Sequence, residues 1–261
     1  MEIHAKVAIV TGAGGGGSGR AIARRFARDG ASVIVSDINE NGGEETVRLI
    51  EAAGGRATFI RADVGIEAEV RALIESSAKT YGGVDILVNN ASAPYHPEAP
   101  LEHWFETVQV DLLGAIYGTR YGIDAMRQRG GGAIVNIGST SALGHGRKQS
   151  GGSPAYDVAK AGVIRLTTML AWLKEKEGIR VNCLVPDWIA SPEVKSYFDT
   201  LSPQQRKEEN TPDVLTTLDE IADAVVEFVT DDALAGRVMV WWSGQSRRLI
   251  PFGDPGYAML E

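Results

Sequence analysis

Two hydrophobic rhythms alternate along the chain. Residues 7–11, Val-Ala-Ile-Val-Thr, form an almost unbroken apolar, β-branched run, the pattern of a strand buried on both faces. Beyond Gly19, the stretch RAIARRFARDG places Ala21, Ile22, Phe26 and Ala27 on one helical face and stops at Gly30 with Arg28 in its last turn, which predicts an amphipathic helix. The alternation then recurs. Strand-like ASVIVSDI, ATFIRADV and DILVNNAS are separated by helix-like NGGEETVRLIEAAG and EAEVRALIESSAKTYGG, and another helix is predicted from about Leu101. GAIVNIGS, IRVNCLVP and GRVMVWW continue the strands, with helices around YDVAKAGVIRLTTMLAWLKEKEG and LDEIADAVVEFVTD between them. Apolar strands divided by helices predict a doubly wound α/β fold, a parallel sheet with helices on both faces.

Length changes the picture little: 261 residues, 44% hydrophobic, make one substantial core, and residues 1–261 read as a single domain. Residues 192–212, between Pro192 and Pro212, are irregular and polar and are the natural lid over a site. Residues 244–261 form an apolar tail carrying Leu249, Ile250, Phe252, Tyr257, Met259 and Leu260. Such a tail predicts a subunit interface in a symmetric homo-oligomer, a homotetramer, with folding over its own sheet edge as the competing reading. The net charge of −8 is spread without a basic block, which disfavours nucleic acid or an anionic membrane as partner. One cysteine, no signal-like start and no long apolar run predict a cytoplasmic protein.

The sharpest local feature is TGAGGGGSG, residues 11–19, between the first strand and the first helix. Glycine lets backbone approach a pyrophosphate, and the helix N-terminus supplies free N–H groups and a positive dipole end. The second strand ends in Asp37, where an acid binds ribose hydroxyls. No Lys or Arg immediately follows Asp37, so a 2′-phosphate would meet uncompensated negative charge, and NAD is expected over NADP.

Together with ADV (62–64), NNAS (89–92), IVNIGS ending at Ser139, YDVAK (156–160) and IRVNCLVP ending at Pro186, this turn resembles the short-chain dehydrogenase/reductase family over essentially the whole chain. The resemblance implies a Rossmann-type sheet and a catalytic set of Ser139, Tyr156 and Lys160. It also implies cofactor contacts from Gly12, Gly17, Ser18, Gly19, Asp37, Asp63, Val64, Asn90, Ala91, Tyr156, Lys160, Pro186 and Ile189, with Asn89 supporting the sheet. The chemistry is coherent. Tyr156 and Lys160, four apart on a helix, share a face, so the ammonium can stabilise phenolate and make the tyrosine a usable acid and base. Ser139 would bond the oxygen of an alcohol or ketone substrate while hydride moves, and Lys160 would also hold the ribose. Ser141, two residues on, is the competing serine.

Four departures from the family pattern stand out. The glycine turn is one residue longer than usual, with Ser18 in the place of the common isoleucine. Asp111 replaces the usual asparagine of the catalytic tetrad, bringing charge toward Lys160. Asp187 follows Pro186 where glycine is usual, and is read as an Asp that tolerates unusual turn angles. The segment between Ser139 and Tyr156 is longer than usual and carries Arg147 and Lys148. Other chemistries fail on inventory: four scattered histidines suggest no metal site, no G-x-S-x-G elbow occurs, and Cys183 sits in an apolar run as a small hydrophobe. Trp188 is expected beside the nicotinamide pocket. The expected function is hydride transfer between NAD(H) and a secondary alcohol or ketone. The alternatives are an NADP-linked carbonyl reductase and a catalytically weak nucleotide-binding regulatory protein.

Overall fold

The apolar runs become the interior strands of one sheet. In a computed structural model that describes residues 1–94, 101–143, 153–208 and 211–251, β1 (Val7–Thr11), β2 (Ser32–Asp37), β3 (Arg56–Arg61), β4 (Ile86–Asn89), β5 (Gly132–Ile137), β6 (Ile179–Pro186) and β7 (Val238–Trp241) are joined by parallel pairings in the order β3-β2-β1-β4-β5-β6-β7. Every residue of β1, β4, β5 and β6 is buried, which is why those stretches lack polar alternation. The chain order reverses between β1 and β4, the switch point where open α/β sheets bind ligands beyond their carboxyl ends.

The two faces carry separate cores. Ala8, Val10, Val33, Val35 and Val88 pack with Ile22 and Phe26 of α1 (Ser18–Arg28) and Val225 and Phe228 of α10 (Leu218–Thr230). Ile9, Ile34, Leu87 and Ile134 pack on the other side with Leu73 of α3 (Glu67–Tyr81) and Ile123 and Met126 of α5 (Gly114–Arg127). Alternate residues of one strand thus serve opposite layers. The remaining helices are α2 (Glu40–Ala52), α4 (His103–Val108), α6 (Pro154–Met169), α7 (Leu173–Glu177), α8 (Pro192–Thr200) and α9 (Pro203–Glu208).

Several elements differ from the sequence reading. β8 (Arg248–Leu249) adds to β7 antiparallel, and Ile250 N donates to Val238 O at 2.9 Å. The start of the 244–261 tail therefore lies on its own sheet edge; Phe252 onward is outside the described residues, as are Arg147 and Lys148. The helix expected from Leu101 is interrupted by a π-helical turn, Gln109–Leu113, between α4 and α5. The long helix after Tyr156 breaks at Leu170, whose N–H bonds Thr167 O at 3.2 Å in a tightened last turn. The 192–212 zone is helical in α8 and α9, yet neither helix buries a residue. Ser191-Pro192 starts α8 by the Ser-cap, Pro-first rule, with Val194 N donating to Ser191 Oγ at 3.3 Å. That signal outweighs polarity.

Candidate active site

The glycine turn is built by β1 and β4 together. Thr11 Oγ1 donates to Val88 O at 3.2 Å and accepts from Asn90 N at 3.1 Å and Ala91 N at 3.2 Å. Gly12 has φ +66°, and a Cβ there would lie 2.7 Å from Ala91 Cα, so the left-handed angle and the crowding both demand glycine. A Cβ on Gly19 would run into the carbonyl oxygen of Gly12. Asn90 Nδ2 donates to Thr11 O at 2.9 Å and Gly12 O at 3.3 Å, and Ser18 Oγ donates to Asn90 Oδ1 at 2.7 Å. The side chains of Ser18 and Asn90, expected at the cofactor, are thus occupied in bracing the loop. Gly17 starts α1 with no side-chain cap, leaving first-turn N–H groups for an anion.

Asp37, at the end of β2, accepts from Gly14 N at 2.7 Å and Asn39 N at 2.9 Å. Its carboxylate stands directly beside the glycine turn. Arg20, which the sequence reading missed, donates to Gly14 O at 2.9 Å, Gly42 O at 3.2 Å and Thr46 Oγ1 at 2.8 Å, tying the turn to α2. A basic residue in the first turn of a helix, where the dipole disfavours it, was the available signal. Asp63 Oδ1 accepts from Gly65 N at 2.9 Å, and buried Val64 lies where any side chain on Gly114 would strike it. Glycine turn, Asp37 and an open helix N-terminus fit a dinucleotide.

Beyond the carboxyl ends of β4 and β5, Tyr156, Lys160 and Asp111 come together. Beyond β5 a 3₁₀ turn, Thr140–Leu143, follows Ser139, whose Oγ accepts from Ser141 N at 3.2 Å. This leaves the hydroxyl proton of Ser139 free to donate. Ser153 caps α6 by accepting from Tyr156 N at 3.3 Å, and one turn on Lys160 Nζ lies 5.4 Å from the Tyr156 ring centroid. Lys160 Nζ also donates to Ile137 O at 3.1 Å and pairs with Asp111 Oδ1 at 3.0 Å. Those side chains are 4% and 0% exposed. The π-turn carries Asp111 to this position, and its carboxylate also accepts from Ser92 Oγ at 2.6 Å and Ala93 N at 3.0 Å. Ser92 escaped the sequence reading because its partner is brought in by the fold.

Burial alone would pull the Lys160 ammonium down, but the charge of Asp111, joined by Tyr156 and the Asp111 hydrogen bond, outweighs it and holds the pKa above the usual lysine value. Asn89 takes no part in that pair. Its Nδ2 donates to Asn136 Oδ1 at 2.8 Å and Thr119 Oγ1 at 3.2 Å, and Asn136 passes the link to Thr167 Oγ1 at 3.0 Å, a buried belt joining β4, α5, β5 and α6. One crevice touches Thr11, Ala91, Asp111 and Lys160, so the end of β1 that leads into the glycine turn and the lysine border the same space.

The segment after Pro186 corrects one expectation. Among the described residues only Ala5 is a non-glycine with positive φ, so Asp187 is not there for unusual backbone angles. Instead its carboxylate accepts from Thr140 Oγ1 at 3.0 Å and Ser243 N at 3.2 Å. Trp188 stacks on Tyr197 of α8, with centroids 6.2 Å apart, and Ile189 forms a bridge with Thr216. Pro192, at the start of α8, lies 3.0 Å from the Cβ position of Gly16. The expected lid thus begins on the glycine turn. Cys183 is fully buried, which pushes its thiol up to about 12, in keeping with a small hydrophobe.

Comparison with known proteins gives concordant matches. Residues 6–202 match the family model for short chain dehydrogenase. A cis-4-hydroxycyclohexanecarboxylate dehydrogenase of Sinomonas cyclohexanicum is 34% identical over 87% of this chain and 90% of its own. A cyclohexanol dehydrogenase of an Acinetobacter species is 33% identical over 89% and 90%. A crystallised Burkholderia xenovorans protein described as a short-chain dehydrogenase/reductase superposes with TM-score 0.81 at 33% identity, over 92% of this chain and 96% of that one.

Proposed function

The chain belongs to the short-chain dehydrogenase family, and from that membership we propose that it transfers hydride between NAD(H) and a secondary alcohol or ketone. The observation that carries this reading is the buried Lys160 ammonium, which lies 5.4 Å from the Tyr156 ring centroid, pairs with Asp111, and borders a crevice reached by Thr11 at the end of β1. When bound, the nicotinamide supplies the hydride acceptor for oxidation and the donor for reduction. In reduction, Ser139, its Oγ already accepting from Ser141 N, donates its proton in a hydrogen bond to the substrate oxygen. Tyr156 delivers the phenolic proton to that oxygen, and the neighbouring ammonium stabilises the phenolate left behind. Oxidation runs the same transfers in reverse. Asp111 keeps Lys160 charged and in place.

Gly12, Gly17, Gly19, Ala91, Asp63, Val64, Pro186 and Ile189 shape the proposed cofactor site, and Lys160 holds the nicotinamide ribose. Asp37 favours NAD: its carboxylate suits ribose hydroxyls as an acceptor and opposes the charge of a 2′-phosphate. Two relatives are named for alcohols on cyclohexane rings, which supports an alicyclic secondary alcohol as the substrate class. Among the described residues no helix is long and apolar enough to cross a membrane. The reading places one domain, residues 1–261, in the cytoplasm as a homotetramer, which light scattering tests directly. A panel of cyclic and acyclic secondary alcohols and ketones, run with NAD(H) and NADP(H), tests the chemistry. Turnover with NAD(H) and a cyclic alcohol is expected; tight NAD(H) binding without turnover on any substrate would instead favour a regulatory nucleotide-binding protein.

A further inference from the structure

We infer that Asp187 is a positioning residue for Ser139, an inference that rests on the hydride-transfer reading above. Strands β5, β6 and β7 lie side by side in the sheet. The backbone of Asp187 prolongs the β6–β7 ladder, its N–H donating to Trp241 O at 2.9 Å. Its side chain then does what no backbone ladder can do beyond the strand ends. One carboxylate oxygen accepts from Thr140 Oγ1 at 3.0 Å on the β5 side, and the other accepts from Ser243 N at 3.2 Å on the β7 side. Ser243 Oγ closes the group by donating to Trp188 O at 3.4 Å.

Thr140 is buried and directly follows Ser139, and the next amide, Ser141 N, donates to Ser139 Oγ. The carboxylate therefore grips the turn that orients the serine hydroxyl, through one side-chain bond and one peptide. A glycine at position 187 would offer neither contact, and an alanine would leave the buried Thr140 hydroxyl without this acceptor. The Ser139 turn is thereby fastened to the segment that leads from β7 to β8, so the placement of the reacting serine depends on the chain beyond the last parallel strand.

The test is kcat and KM, for ketone and for NADH separately, in Asp187→Ala, Asp187→Asn, Thr140→Val and their combinations with Ser139→Ala. Small displacements of a reacting group cost up to about a hundredfold in rate, so Asp187→Ala is expected to lower kcat about tenfold or more with KM for NADH within about twofold. Asp187→Asn should restore most of the rate, because its oxygen can accept from Ser243 N while its amide donates to Thr140 Oγ1. Thr140→Val removes only the hydroxyl and should reproduce the loss, and the Asp187→Ala/Thr140→Val double variant should be no worse than either alone. In a Ser139→Ala background Asp187→Ala should have no further effect on kcat. Unchanged kcat in Asp187→Ala and Thr140→Val, or an Asp187→Ala loss that persists in full without Ser139, overturns the inference. An Asp187→Asn protein as slow as Asp187→Ala overturns it too, since charge and not bridging would then matter. If Asp187→Ala fails to fold, the Thr140→Val arm decides. Wild-type protein without turnover, or Ser139→Ala as fast as wild type, sinks the functional reading; impaired Ser139→Ala with intact Asp187→Ala sinks only this one.

Discussion

Replacing Asp111 by asparagine removes one buried negative charge 3.0 Å from the Lys160 ammonium. At an effective dielectric of 20, that pair attracts by about 5–6 kcal/mol, against several kcal/mol for desolvating each ion. The hydrogen bonds decide the remainder. Asp111 accepts from Lys160 and Ser92 at one oxygen and from Ala93 N at the other, whereas asparagine has one accepting oxygen and one NH2 group. Whichever way the amide turns, an N–H faces a donor, the buried Lys160 ammonium or the half-buried Ala93 N–H, at a cost of about 1–3 kcal/mol. A loss near 3 kcal/mol is therefore expected, in line with about 3–5 kcal/mol for breaking a buried pair. Urea unfolding followed by the fluorescence of the five tryptophans, at fixed protein concentration, measures it as a lower midpoint at unchanged slope. The loss has a pH signature. Lys160, raised in the folded protein, contributes stability that is fully present below its unfolded value of about 10.4 and is lost as pH rises through the folded value. In the variant, burial acts with its main opponent gone, and the sign reverses: the buried ammonium destabilises at neutral pH. The gap between the two proteins should be widest near neutrality, narrow as pH rises through about 10.4, and close only above the raised folded value of Lys160. Equal midpoints at neutral pH, or a gap indifferent to pH, would refute this account.

Tyr156→Phe keeps the ring beside Lys160 and removes the transferable proton, so kcat should fall by about two orders of magnitude or more with NADH affinity nearly intact; near-normal turnover would remove Tyr156 from the chemistry. Asp37→Ser and Asp37→Arg should weaken NAD and favour NADP, read as the ratio of kcat/KM values for the two cofactors, and wild-type protein with equal preference would end the argument from charge. Cys183, buried with its thiol pushed up to about 12, should carry about one thiolate in 10⁴ at pH 8. Thiol reagents should modify it only on unfolding, and fast labelling of native protein would contradict its burial.

Local order explains what was legible in the residues alone. Strands such as residues 7–11 and helices such as α1 announce themselves by period, glycine and caps, because those signals act within a few residues. The glycine turn, the acid ending β2 and the Tyr156–Lys160 spacing follow from the same short-range rules. The polar composition of α8 and α9 predicts irregular chain, and the local signal against it is the pair of Ser-Pro starts at Ser191-Pro192 and Ser202-Pro203.

Tertiary structure decided what joins distant segments. A π-turn brings Asp111 onto Lys160, Ser92 reaches across to the same carboxylate, and Asp187 ties the turns beyond β5 and β7. The antiparallel return of β8 and the commitment of Ser18 and Asn90 to the loop belong to the same class. Each depends on a partner far away in sequence. A side chain's spacing states which neighbours it shares a face with, but a buried charge or hydroxyl takes its role from whichever donor the packed sheet sets within about 3 Å of it.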